Sequence, residues 1–290
     1  MKSVISNGIL SAEIRHRGAE LASLRHEQLH LEYVWQADPA FWAKSSPVLF
    51  PIVGQLKGNT YHYNGKSYTL PRHGFAREMN FELETSGADH AIFRLSDSDE
   101  TRSKYPFAFS LQIAYTLEGD SLLVNYSVTN PSKEVLLFSI GAHPAFNVPL
   151  VAGTKYHDHY LLFSEQERSA RWNITPEGTI GGQGELLLSD EKELALTKSL
   201  FDHDAVVFKD LKSKCISLRS RTHERGLDFS FLGFPYFGIW AAPGADFVCL
   251  EPWAGIADAH DHDQQLTGKE GIMQLQPGAE WNAQWAVRCF

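Results

Sequence analysis

The residues between Phe109 and Thr129 alternate between apolar and polar side chains. From Phe109 to Leu117 the odd positions are apolar and the even positions are small or polar. After Glu118–Ser121 the alternation resumes at Val124 and stops at an Asn-Pro pair. A period of two fits a strand with one buried face, whereas a helix has a period of about 3.6. The segment is therefore predicted to form a β-hairpin.

A second hairpin is predicted at Asn64-Gly65, because this dipeptide tolerates the positive φ values of a two-residue turn. Few stretches have a helical period, although Asp38 and Pro39 favour a short helical turn over Asp38–Trp42. Other apolar or alternating runs predict strands at residues 81–84, 91–95, 135–140, 205–209, 215–219, 227–231, 237–240 and 281–287.

Many short strands separated by turn residues predict an all-β fold, specifically a large antiparallel β-sandwich. The 290 residues, 43% of them hydrophobic, are enough for one large core. Gly and Pro are spread along the chain rather than pooled in a linker, which favours a single domain over residues 1–290.

The net charge of -9 argues against a nucleic-acid or anionic-membrane partner, because phosphate binding needs clustered Lys and Arg. A neutral or small polar ligand fits better. No segment approaches the roughly 20 apolar residues of a membrane span, and the N-terminus lacks a signal-peptide core, so a cytoplasmic protein is expected. Monomer and homodimer both remain open.

The three cysteines, Cys215, Cys249 and Cys289, are too far apart in sequence for a CxxC metal site and are expected to be reduced core residues. Two histidine-rich patches, at 157–159 and 258–263, raise the question of a metal ion. Neither has a familiar zinc motif, so both are interpreted as solvated loops. No metal and no other cofactor is expected.

Three stretches place acid and base groups beside Gly, Pro and aromatic residues: Arg72–Arg77, Gly141–Asn147 and Glu251–Trp253. Glu251 follows four apolar residues, and Pro252-Trp253 is expected to end its strand and partly desolvate the carboxylate. His143 follows an apolar run, and an imidazole there can donate or accept a proton near neutral pH. The structural alternatives are an edge glutamate paired with a cation and a turn histidine.

His73, Arg72 and Arg77 are candidate donors to sugar hydroxyls or to a carboxylate, on a loop rather than a helix. Arg77 has the alternative of a surface ion pair with Glu78 or Glu82. Asp204 directly precedes a strand and is the better candidate for a ligand contact, whereas Asp202 is interpreted as a solvated turn residue.

Aromatic residues make up 12% of the chain. The C–H faces of sugars pack on aromatic rings, so Trp253, Phe75, Phe146 and Trp240 are candidates for a carbohydrate platform. Ordinary core positions are the alternative for most of them.

Together these stretches resemble the aldose 1-epimerase (galactose mutarotase) superfamily, and more closely its LacX-like branch. The resemblance covers nearly the whole chain and depends on the order and spacing of several segments rather than on one motif. These segments are Ser46–Gly54, the turn at Asn64-Gly65, His73–Arg77, Gly141–Asn147, Asp204–Phe208 and Glu251–Asp258.

The resemblance implies a galactose mutarotase-like β-sandwich with a sugar-sized cleft. It implies that Glu251 is the general base, His143 the general acid, His73 a second substrate histidine and Asp204 a substrate-binding aspartate. Related sequences tend to carry Arg where this chain has Gln55, so Arg72 or Arg77 is a candidate replacement for that cation.

The expected reaction is interconversion of the α and β anomers of a hexose by acid/base ring opening, without a metal, a nucleotide or a covalent intermediate. One alternative is an epimerase of hexose 6-phosphates, for which Lys57 and Lys269 are the other scattered cations. Another is a sugar-binding or sensing protein without turnover.

Overall fold

The regular structure consists of twenty-three strands and one short α-helix, α1 (Asp99–Lys104), in a computed structural model that describes residues 1–290. The strands are β1 (Lys2–Ser6), β2 (Leu10–Arg15), β3 (Glu20–His26), β4 (Leu31–Glu32), β5 (Val48–Leu49), β6 (Thr60–Tyr63), β7 (Lys66–Thr69), β8 (Glu82–Ser86), β9 (His90–Ser96), β10 (Ser110–Glu118), β11 (Ser121–Thr129), β12 (Leu136–Phe138), β13 (Ile140–Ala142), β14 (Ala145–Asn147), β15 (His159–Ile174), β16 (Ile180–Ala195), β17 (Val206–Phe208), β18 (Cys215–Ser220), β19 (Leu227–Leu232), β20 (Tyr236–Trp240), β21 (Phe247–Ala254), β22 (Met273–Leu275) and β23 (Glu280–Cys289). Single turns of 3-10 helix lie at Lys57–Asn59, Ala76–Glu78, Tyr156–Asp158, Lys198–Phe201 and Leu266–Gly268. None of these helices is long enough to cross a membrane.

Both predicted hairpins are confirmed. β10 and β11 pair antiparallel from Ser110 opposite Thr129 to Glu118 opposite Ser121, and every second side chain is buried. Asn64 and Gly65 join β6 to β7 with φ values of 50° and 73°, as a two-residue turn requires.

Fifteen strands form one long antiparallel sheet in the order β5-β13-β21-β20-β17-β15-β18-β19-β23-β11-β10-β9-β8, with β14 paired to β21 and β16 paired to β15. A four-stranded meander, β1 to β4, forms a separate sheet. The two share one hydrophobic core of 73 buried residues. They also meet through Tyr115 of β10, whose hydroxyl donates to the carbonyl of Ala19 at 2.6 Å. The predicted all-β antiparallel sandwich is confirmed.

Two parts of the fold differ from the sequence prediction. The meander β1–β3 and the long hairpin β15–β16 were not among the predicted strands, and β16 is largely exposed, so it has little apolar alternation. The short helical turn expected over Asp38–Trp42 is present as a single hydrogen-bonded turn that does not continue into a helix: the N–H groups of Phe41 and Trp42 both donate to the Asp38 carbonyl, at 3.1 and 2.9 Å.

Five neighbouring strands at one end of the long sheet, β5, β13, β21, β20 and β17, bring together segments that are far apart in sequence. Their ends and connections form the walls of the candidate site described next.

Candidate active site

A cavity of about 510 Å³ opens where these five strands and the tip of the β15–β16 hairpin meet. Its volume lies within the range of roughly 300–1,000 Å³ that is usual for small-molecule sites. It is lined by Trp42, Gly54, Arg72, His73, Arg77, His143, Ile174, Gly178, Ile180, Phe201, Asp202, Asp204, Ala205, Trp240, Pro243, Glu251, Trp253 and Ala257. Acidic, basic and aromatic side chains therefore converge on one space.

Glu251 lies inside β21 rather than at its end, and this corrects the sequence prediction. Strand β21 continues through Pro252 to Ala254. On one edge of β21, β13 pairs with residues 253–254 and β14 pairs with residues 247–249. The ladder is broken between them, which accommodates a proline that has no N–H. His143 and Pro144 occupy the same break, so the histidine lies opposite Glu251.

His143 and Glu251 form a close, buried pair. Nε2 of His143 is 3.3 Å from Oε2 of Glu251, and the side chains are 9% and 1% exposed. Burial lowers the pKa of His143 to about 3. Burial, followed by the nearby negative charge of Asp204, raises the pKa of Glu251 well above its usual range. Both shifts favour the uncharged forms, a neutral imidazole and a protonated carboxyl group, so burial favours a single proton on a pair whose two sites are 3.3 Å apart.

Three rings hold the His143 imidazole in place. Trp42 stacks on it with 4.9 Å between ring centroids and 28° between planes. Trp240 and His73 each contact it edge-on with centroids 5.7 Å away. The imidazole is thus fixed from several sides without a hydrogen bond to Nδ1, which has no partner.

His73 is oriented by the backbone of Gly54. The Gly54 N–H donates to Nδ1 of His73 at 3.1 Å, and the His73 N–H donates to the Gly54 carbonyl at 2.8 Å. An Nδ1 that accepts leaves the proton of the neutral ring on Nε2. Burial, together with His143, Arg77 and Arg72, holds the pKa of His73 well below its usual value. His73 therefore offers the cavity a neutral N–H donor.

Both predicted arginines line the cavity. Arg77 donates from Nη2 to the carbonyl of Arg72 at 2.8 Å, which ties the two ends of this loop together. The alternative of a surface ion pair for Arg77 is not what the structure shows, because Glu78 pairs instead with Arg17 and Lys44.

Arg72 lies between the two other polar candidates, Asp204 and Gln55. Its Nη1 is 3.8 Å from Oδ2 of Asp204, and its Nε donates to Oε1 of Gln55 at 3.4 Å. Gln55 itself does not line the cavity, so it meets the site through Arg72. Asp202 is an exposed turn residue, as interpreted from the sequence, and it lines the cavity together with Asp204.

Trp253 lines the cavity, and two glycines make room for its indole. A Cβ at Gly141 would lie 2.6 Å from the indole, and one at Gly238 would lie 2.4 Å from it. These glycines face Trp253 and Glu251 from the two strands that flank β21. The close approach of backbone to ring seats Trp253 beside the carboxylate.

Of the other proposed platform residues, Trp240 lines the cavity, whereas Phe146 and Phe75 do not. Phe146 is fully buried and packs edge-on against Phe229. Its position in β14 directs its ring into the hydrophobic core, so the prediction that it binds substrate is wrong. Phe75 packs against Phe50 and is likewise part of the core.

Cys249 lies two residues before Glu251 on β21, and one donor atom each from His143, Cys249 and Glu251 falls within 4.8 Å of the others. Burial raises the pKa values of both the thiol and the carboxyl group. Metal ligation needs the deprotonated forms, so a metal ion would bind here only with release of the protons of the thiol and the carboxyl group.

The histidine-rich patches are not simply solvated loops, as had been interpreted. His159 is buried in β15, next to the carbonyl of Lys155 at 3.0 Å. Asp258 is buried and accepts from Lys269 Nζ at 2.9 Å and from the Lys57 N–H at 2.9 Å. Its backbone also bonds Gln55 and Ile180, so Asp258 ties three segments around the cavity together.

Trp42 and the hairpin tip formed by Ile174, Gly178 and Ile180 also line the cavity but were not predicted from the sequence. Trp42 belongs to an irregular segment with no periodicity, and the tip belongs to a polar hairpin. A general enrichment in tryptophan was the only available signal for Trp42.

The fold is a galactose mutarotase-like β-sandwich with a cavity at one end of its long sheet, and comparison with known proteins agrees with this fold. The family model of aldose 1-epimerase matches residues 1–285. LacX of Lactococcus lactis subsp. lactis is 36% identical over 282 residues, which cover 94% of each chain. The chain belongs to the aldose 1-epimerase family.

Two solved structures are also similar. The galactose mutarotase related enzyme from Lactobacillus acidophilus has a TM-score of 0.95 and 34% identity, with 100% of this chain and 97% of that chain covered. A galactose mutarotase-like protein from Lactobacillus casei has a TM-score of 0.93 and 30% identity, with both chains fully covered.

Proposed function

We propose that the protein is an aldose 1-epimerase that interconverts the α and β anomers of a hexose. The observation that carries this proposal is the buried His143–Glu251 pair at the wall of a sugar-sized cavity. In the reacting state Glu251 is the carboxylate that takes the proton from the anomeric hydroxyl, and His143 is the imidazolium that protonates the ring oxygen.

Ring opening leaves Glu251 protonated and His143 neutral. This is the form that burial favours, so the site stabilises the protonation state of the open-chain aldehyde. Rotation about the C1–C2 bond presents the other carbonyl face. Reversal of both proton transfers then closes the ring as the other anomer, with no net change in protons.

The remaining lining residues are assigned to substrate binding. His73, Arg72 and Arg77 are donors to sugar hydroxyls, Asp204 is an acceptor, and Trp253 provides an apolar face. A hexose 6-phosphate needs further cations, but Lys269 is buried against Asp258 and Lys57 Nζ donates to the His262 carbonyl. A protein that only binds sugar has no need for a buried acid and base in contact.

The test is polarimetry of freshly dissolved α-D-glucose and α-D-galactose with the wild-type protein and Glu251→Gln. Acceleration over the spontaneous rate by the wild type alone is the expected result. Binding without acceleration would overturn the proposal in favour of a sugar-binding protein. The same measurement on α-D-glucose 6-phosphate tests the alternative substrate class, and acceleration with the phosphorylated sugar alone would overturn the proposal in favour of a hexose 6-phosphate epimerase.

A further inference from the structure

The guanidinium of Arg72 is held at the cavity by contacts that are individually weak. The side chain is 43% exposed, and its ion pair with Asp204 spans 3.8 Å. Exposed ion pairs of this kind do little to fix a long side chain. Something further must therefore select the conformer in which Arg72 lines the cavity.

Gln55 provides part of that selection. Its amide nitrogen donates to the Leu56 carbonyl at 3.1 Å and to the side chain of Asn59. With the nitrogen directed to these two acceptors, Oε1 is turned toward Arg72 Nε. This contact directs the guanidinium toward the β15–β16 hairpin tip.

At that tip the guanidinium occupies the place where residue 178 would carry a side chain. A Cβ at Gly178 would lie 2.0 Å from Nη2 of Arg72 and 3.3 Å from Cβ of Gln55. Gly178 has φ of +84° in a tight turn, in which its N–H donates to the Thr175 carbonyl at 2.8 Å.

The turn cannot easily move away from Arg72. The hydroxyls of Thr175 and Thr179 lie 2.8 Å apart across it, and the next residue, Ile180, donates to the Asp258 carbonyl at 2.8 Å. A side chain added at position 178 would therefore displace the flexible end of Arg72 rather than the backbone.

We propose that Gly178 is a positioning residue for substrate binding, because the Arg72 guanidinium occupies the space that a side chain at position 178 would fill. This inference rests on the proposed function and extends it to the hairpin tip, a segment outside the three acid/base stretches. Gly178 acts through Arg72 on the affinity for the sugar and leaves the proton transfers at Glu251 and His143 unchanged.

The test compares Gly178→Ala with Gly153→Ala by polarimetry on α-D-galactose and α-D-glucose. Gly153 has nearly the same φ, +86°, but no atom within 4 Å of an added Cβ, so it controls for backbone strain. We expect Gly178→Ala to raise KM about tenfold, the loss of one charge-assisted hydrogen bond, with little change in kcat. Gly153→Ala should leave both constants unchanged, and both variants should melt at similar temperatures.

A double-mutant cycle with Arg72→Ala decides whether the effect passes through Arg72. The expected result is that Gly178→Ala/Arg72→Ala has the same KM as Arg72→Ala alone. The inference would be overturned if Gly178→Ala raised KM in the Arg72→Ala background by the same factor as in the wild type. It would also be overturned if Gly178→Ala alone left KM unchanged.

If the wild type shows no turnover, the proposed function fails, and the same cycle is measured as Kd by titration calorimetry. Coupled losses of affinity would then still support the role of Gly178. Absence of any binding of either sugar would overturn it.

Discussion

Nε2 of His143 lies 3.3 Å from Oε2 of Glu251 in an interior site where neither side chain is more than 9% exposed. The two residues singled out in separate stretches of the sequence are thus neighbours, and burial favours a single proton on the pair. The shared proton ties their titrations together, and the pH dependence of turnover should show it.

The pH profile should be broader than that of an exposed Glu–His pair. Ordinary pKa values of 4.5 and 6.5 would confine the reactive one-proton state to the interval between them. Here the pair gains a second proton only near the His143 pKa of about 3, and loses its proton only well above pH 4.5 because the pKa of Glu251 is raised. The acid limb of kcat/KM should therefore lie well below pH 4.5.

Polarimetry at a series of pH values, corrected for spontaneous mutarotation, measures this profile. Circular dichroism at each pH shows whether the protein is still folded. If the folded protein lost half of its activity as the pH was lowered from about 6 to 5, the interpretation that His143 and Glu251 share one proton would be contradicted.

Glu251→Gln and His143→Asn should each lower kcat by roughly 10²- to 10⁴-fold, because each removes one of two coupled proton transfers. The double variant should be little worse than either single variant, since the two residues act as a unit. Steady-state polarimetry on all three proteins checks this. Losses that multiply in the double variant would indicate independent roles.

Trp42→Leu should lower kcat by roughly two- to tenfold, the contribution expected from one aromatic contact. The indole stacks on His143 and favours its charged form, which is the form that protonates the ring oxygen. Phe41→Leu is the matched control, because Phe41 is 46% exposed and does not line the cavity. Equal effects of the two substitutions would show that the stacking on His143 has no part in turnover.

Gln55→Arg should raise KM for the hexose, because it replaces the acceptor of Arg72 Nε with a second cation. Repulsion between the two guanidinium groups would move that of Arg72 away from its position beside Gly178. In an Arg72→Ala background the same substitution should have a smaller effect, or restore binding if the new arginine takes over the contact. A KM for Gln55→Arg equal to that of the wild type would show that Gln55 does not orient Arg72.

Lys269→Met should destabilise the protein by about 3–5 kcal/mol, because it leaves Asp258 buried without its cation. Urea unfolding measures the loss. Lys269→Met/Asp258→Asn should recover part of it, since the neutral amide can still accept from the Lys57 N–H. A double variant less stable than Lys269→Met would mean that the carboxylate is needed for a reason other than this ion pair.

Much of the fold could be read from the sequence by itself. The alternation in Phe109–Thr129 and the turn at Asn64-Gly65 are local signals, because the burial of one strand face and the φ of one turn are set within a few residues. The same holds for Glu251 and His143, whose apolar and breaker-rich surroundings single them out.

Only the tertiary structure decided which side chains meet. Phe146 and Trp253 are both aromatic residues in acid/base stretches. Strand register directs the Phe146 side chain into the core and the Trp253 side chain to the cavity. Trp42 and Gly178 carry no local signal, because their roles depend on contacts with His143 and Arg72, which lie about a hundred residues away in each case. Periodicity reports burial along one strand, whereas a site built from five strands depends on how those strands are ordered in the sheet.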